Sequence, residues 1–235
     1  MPSLMRQLKN PMTENYLGLK KQIFDYRFPW YWQEGVTEPL PTGLRVINGT
    51  VEEYLDTYFN PPFYSHQILG RPWMGPGSKI FPYGDSPYIH LADDVLKEIF
   101  QYNDIDVDTV FRINVNCVRD EPNEKQLTFP HVDHPFPHSN MLIFLSDVGG
   151  KSIVQRSYGN DIVEESHEPK EDDIIIFGGD LHYHKLPERG RRIVLVVTFQ
   201  ESDPKVTATI EVDAGNVNQW SGSILKEYED VFAND

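Results

Sequence analysis

The chain has 235 residues, of which 39% are hydrophobic and 12% aromatic, enough apolar material for a folded core and too much for a disordered chain. A single cysteine, Cys117, excludes an intramolecular disulfide and a cysteine-rich zinc site, and favours a reducing, cytoplasmic location. The formal net charge of −15 disfavours a nucleic-acid partner. The sequence contains no run of about 18 uncharged apolar residues, so no membrane span is predicted.

The first hundred residues have the pattern of helices and loops. Apolar side chains recur at helical spacing over residues 14–25 and 92–102, which predicts a helix in each. The run Thr-Val-Glu-Glu at 50–53 is a capping box, so a further helix is predicted from residue 50 to about 59. Six prolines and four glycines make residues 61–87 a predicted loop region.

The second half changes to short runs rich in Val, Ile, Phe and Thr, separated by turn residues. These runs predict strands at 109–118, 141–145, 152–155, 173–177, 192–199 and 206–212. Many strands without interleaved helices are typical of an antiparallel sandwich or barrel. We therefore predict one domain over 1–235: a helical and loop part at 1–106, a β core at 107–212 and a tail at 213–235.

Six of the eight histidines lie between residues 131 and 184. His131 and Asp133 are two residues apart, and residues i and i+2 of a strand face the same side, so both could reach one metal ion. His182 and His184 share a face in the same way. Two histidines and one carboxylate on one side of an iron ion leave three positions open, which is the facial triad of non-haem Fe(II) oxygenases. The alternative is a surface carboxylate beside an incidental loop histidine.

Five segments together, in this order and spacing, resemble the Fe(II)/2-oxoglutarate-dependent dioxygenases, and the prolyl-hydroxylase-like branch is closest in pattern. They are HVDHP at 131–135, LIFLSDVGG at 142–150, DIIIF at 173–177, HYHKLP at 182–187 and RRIVLVVTF at 191–199. The resemblance covers roughly residues 107–200. It implies a mainly β fold with flanking helices around a double-stranded β-helix, or jelly-roll, core. It also implies Fe(II), 2-oxoglutarate and O2 as cofactor and co-substrates.

The activity that the resemblance implies is the oxidative decarboxylation of 2-oxoglutarate to succinate and CO2, coupled to hydroxylation of a substrate C–H bond. Carried over to this sequence, it implies His131 and Asp133 as the first two iron ligands. The third is His182 or His184. We favour His182 because Arg192 follows it by ten residues, a spacing common in the family, whereas His184 is eight residues from Arg192.

The resemblance also implies an arginine that holds the co-substrate carboxylate. Arg192 is our choice and Arg191 the alternative, because strand alternation allows only one of them to face inward. The surrounding residues 185–192 carry a local charge of +3, which would favour a dianion. Asn116, on the strand before the metal segment, is a further candidate for co-substrate binding. Its strand turns either Asn114 and Asn116 inward or the apolar residues that alternate with them.

Two other readings remain open. A cupin-like metal enzyme would use a similar jelly roll, but its HxH motif should come early, and here it comes late, at 182–184. A non-catalytic jelly-roll binding or structural module would carry these histidines by chance. The sequence leaves the substrate as a small molecule or a protein side chain, with neither a nucleic acid nor a membrane expected as partner.

Overall fold

The structure is a computed structural model, and it describes residues 3–35, 58–71, 84, 86–121, 126–158 and 161–202. The chain divides into two units, Met1–Glu201 and Ser202–Asp235, and the fold below belongs to the first. The predicted strand at 206–212 and most of the predicted helix at 50–59 lie outside the described residues. The assignment of the whole chain to one domain stays a prediction.

Two helices form where the apolar periodicity predicts them, α1 (Glu14–Ile23) and α2 (Ile89–Tyr102). Thr13 caps α1, because its hydroxyl accepts a hydrogen bond from the backbone N–H of Tyr16 at 3.2 Å. The predicted helix at 50–59 is wrong at its last two positions. Tyr58 and Phe59 form a short strand that pairs with residues 127–128, so pairing with a distant segment overrides the local signal there.

Twelve strands are found in the described part of the chain, and they hold more residues than the two helices do. They are β1 (Met5–Leu8), β2 (Tyr31–Gln33), β3 (Tyr58–Phe59), β4 (Phe63–Leu69), β5 (Val107–Arg119), β6 (Leu127–Thr128), β7 (Ser139–Phe144), β8 (Ser152–Tyr158), β9 (Asp161–His167), β10 (Ile174–Gly178), β11 (Leu181–His184) and β12 (Arg191–Glu201). Five predicted strands are confirmed as β5, β7, β8, β10 and β12. The predicted loop at 61–87 is wrong in part, because it contains β4, which pairs along β5.

The strands form two main antiparallel sheets. The large sheet has the order β1-β10-β7-β12-β5-β4-β2, and the small sheet has the order β11-β8-β9. A separate parallel pair joins β3 and β6. Strands β5, β7, β10 and β12 of the large sheet face the small sheet, so the predicted jelly-roll core with flanking helices is confirmed.

Strands β7, β10 and β12 of the large sheet are buried on both faces, which explains their nearly continuous apolar sequences. Alternate residues face opposite sides. One set, including Ile143, Ile174 and Leu195, packs in the cluster that contains α1 and α2. The other set, including Phe144 and Val194, packs toward the small sheet. The inner face between the sheets is therefore available for a cavity lined by β5, β8, β11 and β12.

Candidate metal and co-substrate site

A short bridge in the backbone brings two of the predicted metal ligands side by side. The backbone N–H of His131 donates to the carbonyl of His182 at 3.0 Å, and the N–H of His182 donates to the carbonyl of His131 at 2.9 Å. His131 follows β6 and His182 lies on β11. Their ring centres are 4.5 Å apart. The predicted pair of metal-ligating segments thus meets through main-chain hydrogen bonds at one end of the cavity.

Asp133 completes a three-residue group with these histidines. One possible ligand atom from each residue lies within 4.8 Å of those of the other two. Nε2 of His182 is 3.5 Å from Oδ2 of Asp133. Nδ1 of His131 contacts the carbonyl of Phe129 at 3.1 Å, and Nδ1 of His182 contacts the carbonyl of Asp180 at 3.0 Å. A carbonyl only accepts, so each Nδ1 carries a hydrogen, and in the neutral ring the lone pair is then on Nε2.

The electrostatics of the group favour its metal-binding protonation states. The Asp133 side chain is 4% exposed, and burial alone opposes its charge, but His182 and two neighbouring arginines lower its pKa well below the usual range. Burial, followed by the nearby His182, lowers the pKa of His131 to about 4. At neutral pH the group therefore presents a carboxylate and a neutral imidazole without having to release protons first.

Two arginines hold the carboxylate of Asp133 from the side away from the histidines. Nη2 of Arg71 donates to Oδ1 at 2.6 Å, and Nη1 of Arg112 donates to the same oxygen at 2.8 Å. Nη1 of Arg71 also donates to the backbone carbonyl of Asp133 at 3.2 Å. Oδ1 is thus occupied, and Oδ2 is the oxygen turned toward His182.

Arg192 lies in the same cavity as the three-residue group, and Arg191 is exposed. Arg192 is 4% exposed on β12, and its Nη1 donates to the carbonyl of Gly150 at 2.9 Å. Within the described part of the chain, its Nε has no hydrogen-bond partner, and no carboxylate lies within 4.0 Å of it. Burial lowers the pKa of Arg192 to about 10, which leaves the guanidinium charged at neutral pH.

His184 stands outside the three-residue group but lines the same cavity. The Thr128 hydroxyl accepts from the backbone N–H of His184 at 3.1 Å and lies 3.3 Å from its Nδ1. In the tautomer in which the Thr128 hydroxyl donates to Nδ1, the imidazole hydrogen is on Nε2, which is then a donor to the cavity. Burial lowers the pKa of His184 well below the usual value, which keeps the ring neutral.

Three buried polar atoms of the cavity wall lack partners among the described residues: Nε of Arg192, Nε2 of His184 and Oγ of Ser152. His184 and Ser152 are directly paired across β11 and β8, so their side chains share the inner face. Buried polar groups are normally hydrogen-bonded, and an unpaired buried charge is costly. Three unpartnered groups in one cavity, one of them a cation, therefore mark a place for a polar partner, and for an anion in particular.

The structure turns Asn116 toward the cavity, which is one of the two orientations that strand alternation allows. Asn116 is half-buried and lines the cavity, while Ile113 and Val115 face the helices in the outer core. Asn114 is buried beside it and donates from Nδ2 to Oδ1 of Asn116. Cys117 is 3% exposed in the same outer core, as its apolar setting predicts.

Sequence reasoning missed Arg71, Arg112 and Ser152. Arg112 had a detectable signal, since it lies four residues before Asn116 on β5 and so shares its face. Arg71 had none, because it follows β4 in the segment predicted as loop. Ser152 begins a predicted strand, but nothing local indicates that its side chain lines the same cavity as Arg192 and His184.

Comparisons with known proteins support the fold. No family model matches the sequence, and no curated protein matches it. Among solved structures, an oxidoreductase of the 2OG-Fe(II) oxygenase family from Burkholderia pseudomallei is similar with a TM-score of 0.57 and 12% identity, over 84% of this chain and 85% of that one. This chain therefore shares the fold of that structure, which agrees with the fold that the sequence resemblance implies.

Two further similarities fall below a TM-score of 0.5. A prolyl hydroxylase from Trichoplax adhaerens, solved with a peptide of hypoxia inducible factor, has 13% identity and a TM-score of 0.44 over 83% of each chain. AviO1 from Streptomyces viridochromogenes has 13% identity and a TM-score of 0.46, over 85% of this chain and 90% of that one. Among the described helices, none is long and apolar enough to cross a membrane.

Proposed function

We propose that this protein is an Fe(II)- and 2-oxoglutarate-dependent oxygenase that hydroxylates a C–H bond of its substrate. One observation carries the proposal: the His131, Asp133 and His182 group shares a cavity with three unpartnered polar atoms, on Arg192, His184 and Ser152. The reaction takes substrate, O2 and 2-oxoglutarate to hydroxylated substrate, succinate and CO2. One oxygen atom enters the substrate and the other enters succinate.

The donor set suits iron. Two imidazole nitrogens and one carboxylate oxygen on one side of a metal ion leave positions for a bidentate co-substrate and for O2. Bound Fe(II) would supply the activation of O2 that C–H oxidation needs. His131 and His182 would bind through Nε2, with their Nδ1 hydrogen bonds to backbone carbonyls fixing the ring orientations. Asp133 would bind through Oδ2.

The unpartnered groups of Arg192, His184 and Ser152 suit the binding of 2-oxoglutarate. Its distal carboxylate would accept hydrogen bonds from the Nε–H of Arg192, the Nε2–H of His184 and the hydroxyl of Ser152. A carboxylate satisfies all three donors at once and neutralises the buried guanidinium, so binding would remove the cost of an unpaired charge. Asn116 lines the same cavity and has an amide that can contact the bound co-substrate.

Apolar side chains complete the cavity around the proposed reaction site. Val194 and Val196 on β12, Leu142 on β7 and Phe177 on β10 line it. Such walls exclude water, and in their low-dielectric surroundings the arginine and imidazole contacts to a carboxylate become stronger.

The test is an anaerobic titration of purified apo-protein with Fe(II) and then 2-oxoglutarate, followed through the visible metal-to-ligand charge-transfer band. We expect a band in the wild type and none in His131→Ala. The matched control is His90→Ala, since His90 is exposed on α2 on the other side of the large sheet. Succinate formation in air then measures co-substrate turnover.

The competing functions give different outcomes. Iron uptake without any response to 2-oxoglutarate would favour a cupin-like metal enzyme. No iron uptake by the folded wild type would favour a non-catalytic jelly-roll module. Either result would contradict the proposal. The substrate remains a small molecule or a protein side chain, and the cytoplasmic location remains a prediction.

A further inference from the structure

Asp133 has one negative charge but is contacted by two positively charged arginines. Both guanidinium groups use one oxygen, Oδ1, at 2.6 Å from Arg71 and 2.8 Å from Arg112. The two guanidinium groups are both cations held on the same oxygen atom, so they repel each other. Two positive groups thus share one negative group beside the proposed metal.

The described lining of the cavity as a whole also has more positive than negative charge. Its described lining has three arginines, Arg71, Arg112 and Arg192, and one carboxylate, Asp133, a net charge of +2 in a chain of −15. Bound Fe(II) and the 2-oxoglutarate dianion cancel each other, so the loaded cavity keeps this excess. Because like charges in one cavity repel each other, a further anion would stabilise the loaded state.

The three arginines differ in their exposure to solvent, and this difference distinguishes two possible anion sites. Arg192 is 4% exposed, at the wall assigned to the co-substrate. The side chain of Arg112 is 14% exposed and that of Arg71 is 45% exposed. Arg71 and Arg112 therefore lie nearer to solvent than Arg192, on the Asp133 side of the metal group, where a molecule entering from outside can meet them. A guanidinium fork suits a carboxylate or a phosphate group.

We propose that the substrate of this oxygenase carries an anionic oxygen group, a carboxylate or a phosphate, and that Arg71 and Arg112 bind it. This assignment rests on the proposed function, because that function gives Arg192 to the co-substrate. The anion holds the substrate beside the iron-binding group, so a C–H bond a few atoms from the charged group is the one presented for oxidation. A purely structural role, in which the two arginines only orient Asp133, would make no distinction between charged and neutral ligands.

The test uses the full chain loaded with Mn(II) and saturating 2-oxoglutarate, without O2. Acetate, inorganic phosphate and acetamide are each titrated, and their binding is measured by the paramagnetic relaxation that Mn(II) causes in their NMR signals. These probes are small enough to enter without a fitted substrate scaffold. Acetamide matches acetate in size and lacks its charge. The variant is Arg71→Gln, chosen because its half-exposed side chain makes a folding defect less of a concern than at buried Arg112.

We expect acetate or phosphate to bind at least about tenfold more tightly than acetamide, which corresponds to about 1.4 kcal/mol. Arg71→Gln should remove most of that preference at saturating Mn(II), whereas Arg27→Gln, at an exposed arginine paired with Asp25, should leave it unchanged. A preference for acetate indicates a carboxylate substrate, and a preference for phosphate indicates a phosphorylated one.

The proposal is overturned if neither anion binds better than acetamide, or if Arg71→Gln leaves anion binding unchanged. It is also overturned if Arg71→Gln acts only by weakening Mn(II), since that is the structural role. The 2-oxoglutarate signals in the same sample report separately on the proposed function. If 2-oxoglutarate fails to bind while acetate binding still depends on Arg71, then the proposed function is wrong and the anion site stands.

Discussion

Oδ2 of Asp133 lies 3.5 Å from Nε2 of His182, while Oδ1 of the same carboxylate is held by two arginines. The two oxygens are therefore in different environments. One faces the imidazole nitrogens and the other is fixed by charged hydrogen bonds. A carboxylate held in this way would bind a metal through one oxygen, and its orientation is set before the metal arrives.

Replacing the two histidines of β11 should separate their roles. We expect His182→Ala to weaken Fe(II) or Mn(II) binding by more than about 100-fold, since loss of a supporting residue alone costs about 10–100-fold. His184→Ala should change metal affinity by less than about tenfold and weaken 2-oxoglutarate binding instead. Anaerobic metal titration and 2-oxoglutarate titration measure the two effects. Equal loss of metal affinity in both variants would contradict the choice of His182.

Arg192→Gln should weaken 2-oxoglutarate without removing the metal. Losing the charged partner of a buried carboxylate costs about 2 kcal/mol or more, so the dissociation constant should rise by at least about 30-fold. Metal affinity should stay within about twofold, because Arg192 does not belong to the His131, Asp133 and His182 group. Arg191→Gln is the matched control, at a neighbouring exposed arginine. A larger effect from Arg191→Gln would show that the inward arginine is misassigned.

Gly150→Ala should affect both stability and co-substrate binding. Gly150 has a φ of +86°, and an added Cβ would lie 2.7 Å from the backbone oxygen of Lys185 and 2.8 Å from that of Leu186. We expect the free energy of unfolding to fall by about 3 kcal/mol. Its carbonyl also accepts the hydrogen bond from Arg192, so 2-oxoglutarate should bind more weakly.

Gly190→Ala is the control for this backbone effect. Gly190 has a φ of +65°, but an added Cβ would meet nothing within 4 Å. The substitution should cost only the strain of a left-handed residue, about 1 kcal/mol. Urea unfolding compares the two variants. Equal destabilisation would mean that the contacts of Gly150 with Lys185 and Leu186 contribute little.

Cys117 should be unreactive in the folded protein. It is 3% exposed, and burial raises the pKa of its thiol, so little thiolate forms at pH 8 and reagents cannot reach it. Because the folded pKa exceeds the unfolded value, this group's contribution to stability is complete below the unfolded pKa and is lost as the pH rises above it. A thiol reagent should label the protein at pH 8 only after denaturant is added. Rapid labelling of native protein would contradict the buried position.

The local sequence was sufficient to predict the strands around the site. Runs such as 173–177 and 192–199 are apolar at nearly every position, and both of their faces are buried between the outer core and the inner core. The spacing of His131 and Asp133 was likewise a local feature, and so was the statement that only one of Arg191 and Arg192 points inward. These predictions depend on residues close together in the chain.

The local signals failed where pairing with a distant segment decided the structure. The capping box predicts a helix to about residue 59, but Tyr58 and Phe59 pair with β6 about 70 residues later. The proline- and glycine-rich segment at 61–87 contains β4 because β5 provides its hydrogen-bonding partner. No pattern inside either segment reports on those partners.

By itself, the sequence determined the mainly β class, the order of the core strands and the candidate residues of the metal group, because two-residue alternation and apolar runs are properties of neighbouring residues. The tertiary structure alone decided that His182 joins that group while His184 faces Thr128. It also decided that Arg71, 62 residues before Asp133, reaches its carboxylate. The reason is physical: both outcomes depend on contacts between segments far apart in the chain, which form only when the two sheets pack together.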